Sequence, residues 1–180
     1  MWMFLQSKMI KLRPLDVDDT DEFYLWACNR EVTQFSISSY SYPKSKTDIS
    51  KWLAGINNDS KSISLGITCG ETGRLIGYAG IASISTLNRC GEFFILIGDK
   101  EYWGKGIGTE VTKLVTDYGF KDLGLHRIEL TAYATNPSAI RAYEKAGYVH
   151  EGVKRQSGYR NGQFIDKVQM SVLSHEWDGI

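Results

Sequence analysis

Apolar positions along this chain fall into two periods, and together they predict a mixed succession of strands and helices. Residues 92–97, E-F-F-I-L-I, form an apolar run rich in β-branched and aromatic side chains and predict a buried strand. Val111, Leu114, Val115 and Tyr118 recur at i, i+3, i+4 and i+7, one stripe of a helix that stops at Gly124. Residues 10–14 read as a first strand, and the acidic stretch 16–19 caps a helix running towards Arg30. Residues 36–43 are polar and aromatic without a period and read as a loop suited to a substrate contact; a second helix follows over 47–56. Residues 62–69 and 74–83, joined by a turn at 71–73, predict a hairpin leading into the 92–97 strand. Residues 126–135 alternate as the next strand, 138–145 make a short helix closed by Gly147, and Asn161-Gly162 turns between two last strands. The order β-α-α-β-β-β-α-β-α-β-β specifies a mixed α/β or α+β sheet.

Between the apolar strand and the helix stripe lies Y-W-G-K-G-I-G-T-E, residues 102–110, with glycines at Gly104, Gly106 and Gly108. A strand feeding a glycine loop that opens a helix leaves unpaired amides approachable, which suits phosphate or pyrophosphate. The helix dipole adds about 0.3–1 kcal/mol per exposed charge, so direct amide hydrogen bonds must supply the rest. Glycines also mark ordinary turns, and that reading stands beside the cradle at this point. No G-x-x-x-x-G-K-[ST] string occurs. The dinucleotide fingerprint G-x-G-x-x-G fails because Thr109 holds its last place, and Glu129, about twenty residues on, lies inside a strand rather than at its end.

Composition narrows the setting. With 180 residues and 42% hydrophobic content the chain suits a single domain spanning 1–180 with a full core. Formal charge is zero and basic residues are dispersed, so nucleic acid is not expected as a partner. The opening M-W-M-F-L-Q-S-K-M-I lacks a basic leader and a long apolar run, and no membrane span is expected. Cys28, Cys69 and Cys90 are widely spaced without a C-x-x-C pair, which fits a reduced cytoplasmic compartment and no structural metal.

The element order and two local motifs resemble the GNAT superfamily of acyl-CoA-dependent N-acetyltransferases over nearly the whole chain. The glycine loop is similar to the superfamily's pyrophosphate motif [QR]-x-x-G-x-[GA], with Gly106 and Gly108 in register and Trp103 in the Gln/Arg place, as in the RimJ/RimL-like branch. Residues 136–148, N-P-S-A-I-R-A-Y-E-K-A-G-Y, resemble the signature N-x-x-[AS]-x-x-x-Y-[ER]-K-x-G-[FY]. The resemblance implies a mostly antiparallel sheet of about seven strands flanked by about four helices, splayed between the fourth and fifth strands. It implies acetyl-CoA as acetyl donor. Strand-edge amides of Ile95, Leu96 and Ile97 would then meet the pantetheine arm, and those of Gly104, Lys105, Gly106, Ile107, Gly108 and Thr109 the pyrophosphate. Asn136, Ser138 and Arg141 are carried over as cofactor contacts, Asn136 also reading as a helix cap ahead of Pro137. A homodimer is implied by the resemblance alone.

Direct acetyl transfer needs a neutral amine, an oxyanion donor and a proton for the departing thiolate. Tyr143 matches the superfamily's tyrosine acid, and a phenol near 10 reaches a thiolate near 8.5 with about 2 kcal/mol uphill. An amide of the 95–97 strand serves the oxyanion. A lysine-like acceptor amine costs about 4.6 kcal/mol to neutralise at pH 7 and an α-amine about 1. In the ribosomal-alanine branch a glutamate precedes the motif asparagine by five residues; here that place is Thr131, which leaves Glu92, then Glu129, as candidate base. Residues 36–46 carry no carboxylate and instead Tyr40, Tyr42, Lys44 and Lys46, which favours a peptide N-terminus or amino sugar over a polyamine as the amine acceptor. The competing reading is a non-catalytic acyl-CoA-binding sensor.

Overall fold

The computed structural model describes residues 5–36 and 38–180, so Ile37 of the predicted 36–43 loop and the first four residues lie outside the described residues. Seven strands form one sheet: β1 (Ile10–Pro14), β2 (Ile63–Cys69), β3 (Leu75–Ser85), β4 (Cys90–Ile97), β5 (Arg127–Tyr133), β6 (Val149–Arg160) and β7 (Gln163–Leu173). Their spatial order is β1-β2-β3-β4-β5-β7-β6. Every neighbouring pair is antiparallel except β4 and β5.

Among the described residues five α-helices flank the sheet: α1 (Thr20–Ala27), α2 (Arg30–Thr33), α3 (Lys46–Gly55), α4 (Ile107–Lys121) and α5 (Pro137–Ala146). The extra helix comes from a break in the one expected to reach Arg30. Asn29 adopts extended backbone and its side chain accepts from the amides of Glu31 and Val32, so it starts a new helix instead of continuing the old one. The 36–43 loop contains a short 3₁₀ turn at Ser38–Ser41.

The sheet has two dissimilar faces. Ile81, Phe93, Ile128, Leu130 and Met170 pack under α4 and α5 with Val111, Leu114, Val115 and Tyr143. On the other face Tyr78 and Leu96 meet Phe23, Trp26, Ile49 and Leu53 from α1 and α3. Thr116 and Tyr148 share a buried 2.8 Å hydrogen bond that ties α4 to the segment leaving α5. The helices that flank the candidate ligand channel are therefore fixed to each other as well as to the sheet.

β4 and β5 are joined at three rungs only, Cys90 with Arg127, Gly91 with Ile128 and Glu92 with Glu129. Beyond Glu92 the two strands part, as the family resemblance implies between the fourth and fifth strands. An ionic cluster anchors the joined end of β5. Arg127 bonds both carboxylate oxygens of Glu151 at 2.7 and 2.6 Å, Glu129 at 2.8 Å and the Ser171 hydroxyl at 3.0 Å, which links β5 to β6 and β7. The guanidinium holds the Glu151 carboxyl down at about 2, far below its ordinary value.

Candidate active site

The glycine loop hangs from the end of β4. The amides of Gly98 and Asp99 both donate to Ile76 O at 2.9 and 3.0 Å, the Asp99 carboxylate accepts from Glu101 N at 3.1 Å, and Trp103 Nε1 donates to Ile97 O at 2.9 Å. Trp103, which replaces the usual Gln or Arg, thus ties the loop back to the strand it leaves. Gly104 and Gly106 have φ of 72° and 81°, a left-handed backbone that disfavours any side chain. A Cβ at either would meet no atom within 4 Å, so their bare faces open onto space rather than onto packed neighbours. Gly106 is the N-cap of α4 without side-chain capping, and the first helical bond is Glu110 N to Gly106 O at 3.2 Å. The amides of Ile107, Gly108 and Thr109 head that helix, with its positive dipole end behind them. This local geometry suits a phosphate group.

A groove of about 580 Å³ begins at this loop and runs through the β4–β5 split. Its near wall is Gly104, Gly106, Ile107, Gly108 and Thr109 with Asn136, Ser138, Arg141 and Tyr143 of α5 and its cap. Its middle is Ile95, Leu96 and Ile97 on β4 facing Thr131, Ala132 and Tyr133 on β5. Its far end is Val32, Gln34, Phe35 and Ser36, in and after α2. The sequence-derived donor-binding residues therefore converge on one channel, with one correction. Lys105 does not line it; its ammonium lies 5.3 Å from the Tyr102 ring centroid on an exposed part of the loop.

Asn136 caps α5 by accepting from Ala139 N at 3.3 Å, Pro137 fills the first turn, and Gly147 ends the helix with φ 104°. That short, doubly capped helix carries Tyr143 to the groove wall. The phenol ring sits 6.0 Å from Phe93 and 6.3 Å from Tyr148, and burial pushes its pKa up to about 12. The sequence-based value near 10 is thus too low, because neither the burial nor the aromatic surround is visible in the motif.

The candidate bases separate clearly. Glu129 is ion-paired to Arg127. Glu92 stands at the last rung of the β4–β5 join and is not among the groove-lining residues, so its expected place at the reacting centre is not met by direct exposure to the channel. Both face the α1 side of the sheet with Thr131, which is two residues along β5 from Glu129. Sequence reasoning overlooked Phe35 and Tyr133 altogether. Alternation along β5 places Tyr133 on the same face as Thr131, and that signal could have found it. Phe35 could not be found so, since nothing local reveals that α2 brings it 6.1 Å from Tyr133.

Among the described residues no helix is long and apolar enough to cross a membrane, and no group of three or more His, Cys, Asp or Glu side chains could hold a metal. Residues 10–149 match the acetyltransferase (GNAT) domain family. The chain is 33% identical over 176 residues to a probable N-acetyltransferase, YjcK, of Bacillus subtilis, covering 94% of this chain and 97% of the relative. It is 29% identical over 168 residues to the spermidine N(1)-acetyltransferase of Escherichia coli, covering 93% and 88%. The crystal structure of spermidine N-acetyltransferase from Vibrio cholerae in complex with CoA and spermine superposes with a TM-score of 0.85 at 25% identity, covering 94% of this chain and 98% of that one. The split sheet, the glycine-headed helix and these matches lead to one conclusion: the chain belongs to the GNAT acetyltransferase family and is an N-acetyltransferase.

Proposed function

We propose that the chain, as a single domain over 1–180, transfers the acetyl group of acetyl-CoA to a primary amine while both are bound. The observation that carries this reading is the continuous groove, which has a phosphate-suited loop at one end, unpaired strand edges in the middle and a separate aromatic mouth at the other. Acetyl-CoA supplies an activated acyl group there. The amides of Gly106 to Thr109 hold its diphosphate, Asn136, Ser138 and Arg141 hold the donor's flank, and the β4 edge at Ile95, Leu96 and Ile97 orients the pantetheine arm and donates to the developing oxyanion. Tyr143, kept neutral by its burial, donates to the departing sulfur. Glu92, through a water at the base of the split, takes the amine proton.

The names of the spermidine relatives support a polyamine as acceptor and weigh against the sequence-based leaning towards a peptide N-terminus or amino sugar. That leaning rested on the absence of carboxylates from 36–46; Glu92 stands at the base of the split, beside a Glu129 already paired with Arg127. The test is thiol release from acetyl-CoA over polyamines, amino sugars and N-terminal peptides, with cofactor titration alongside. Tight acetyl-CoA binding without turnover on any amine replaces the enzyme by the sensor reading.

A further inference from the structure

The amine end of the groove has an electrostatic character that a polycation does not explain. Tyr133 lines the channel, and two cations lie against its ring: Lys167 Nζ at 4.9 Å and Arg160 Cζ at 5.1 Å from the centroid. Lys167 pairs directly with Tyr133 across β5 and β7, while Arg160 comes from the β6 end of the terminal hairpin. Among the described residues Arg160 donates to carbonyls only, Ser36 O at 2.8 Å and Tyr159 O at 2.8 Å, and so bridges the hairpin to the α2 side of the mouth without meeting a carboxylate. Among the described residues no ion pair engages Lys167 either. Lys154 faces it from β6, and the proton affinity of Lys167 is depressed, first by burial and then by Arg160, with Glu92 opposing. Neither cation is itself among the groove-lining residues; both reach the channel through Tyr133, and two half-buried cations repelling each other on one ring are an arrangement that an anion relieves.

We infer that the acceptor is a primary amine carrying its own anionic group, a carboxylate or phosphate, which Lys167 and Arg160 hold at the Tyr133 rung while the nitrogen enters the β4–β5 split. This rests on the acetyltransferase reading and departs from the polyamine that the relatives' names support. Strand geometry sets the spacing. The Tyr133 rung lies two residues, roughly 7 Å, beyond Thr131 and four residues, roughly 13 Å, beyond the Glu92–Glu129 rung, so a nitrogen between those rungs stands roughly 7–13 Å from the anion. A cationic chain such as spermidine would bring positive charge onto Lys167 and Arg160.

The test compares kcat/KM under saturating acetyl-CoA for 6-aminohexanoate, the neutral 6-aminohexanol and spermidine, and adds a hexosamine phosphate and a peptide with an acidic second residue to separate the two sources of such an acceptor. The inference expects the carboxylate to exceed the neutral alcohol by at least tenfold, chiefly through KM. Lys167→Glu is expected to lower that ratio at least tenfold and to raise spermidine turnover; Lys167→Gln and Arg160→Gln, with circular dichroism as a folding check, give the same direction should the charge reversal fail to fold. Equal rates for carboxylate and alcohol, a preference for spermidine in the unmodified protein, or equal loss on all acceptors in the lysine variants overturns it while leaving acetyl transfer intact. No thiol release from any acceptor by protein that binds acetyl-CoA overturns the acetyl-transfer reading, and this inference with it.

Discussion

Replacing Tyr143 by Phe removes one oxygen from a ring that remains wedged against Phe93 and Tyr148. The packing therefore survives, and thermal stability changes by less than about 1 kcal/mol, the net size of an ordinary hydrogen-bonding group. Catalysis responds differently. With the phenol at about 12 and a thiol near 8.5, complete proton transfer to the sulfur is uphill by ~3.5 units, or about 5 kcal/mol. That exceeds the ~2 kcal/mol of an unperturbed phenol, so Tyr143 acts chiefly by donating a hydrogen bond as charge grows on sulfur, and the proton is delivered late. Loss of such a donor is worth about 10²–10⁴ in kcat. Thiol release at saturating acetyl-CoA is expected to fall by that factor in Tyr143→Phe, with the acetyl-CoA KM changed less than about threefold. Burial also sets the pH profile. A group raised to about 12 stays protonated through pH 10, so activity of the unmodified enzyme shows no alkaline loss from Tyr143 below that pH. Retention of a third or more of kcat in the variant, or a loss confined to KM, refutes the acid assignment.

Gly106→Trp puts a side chain into the open face of the loop and forces an L-residue to φ 81°, at a conformational cost of about 1–2 kcal/mol; acetyl-CoA titration is expected to show at least tenfold weaker binding, and an unchanged isotherm contradicts the cradle. Glu92→Gln is expected to lower kcat/KM by about 10–100-fold in the thiol-release assay; an unchanged kcat/KM transfers the base role to water alone. The Glu151 carboxyl, held at about 2 by Arg127, contributes stability that is fully present above its ordinary value of 4.5 and is lost as pH falls towards 2. The pair is partly solvated, so the loss is about 1 kcal/mol, and urea melts at pH 7 and pH 3 are expected to differ by less in Glu151→Gln than in the unmodified chain.

The parts of this fold that the chain spells out are those with local causes. Gly147 past the last apolar turn, Asn161-Gly162 between two strands and the stripe from Val111 to Tyr118 each act within a few residues, and each element stands where they indicate. The break between α1 and α2 was legible in principle, since Asn29 is an N-cap residue, yet it competes with a continuous helical stretch that reads just as well. The loop end of the channel was readable because two contiguous motifs build it. The far end was not. Phe35, Tyr133, Arg160 and Lys167 are scattered over 133 positions of the chain and meet only because β7 inserts between β5 and β6. The displaced pKa of Tyr143 escaped for the same reason, as its cause is the packing of α5 on the sheet.

Three rungs hold the two halves of the sheet together, and above them β4 and β5 are not paired with each other. On the acetyl-CoA reading, a sheet left open in this way is completed by its substrate. By mass action, donor present at a hundred times its dissociation constant adds about 2.7 kcal/mol to the folded state. The lifetime of this protein against heat and proteolysis will then follow the supply of acyl thioester around it, so that a shortage slows the reaction and also erodes the population of molecules able to perform it.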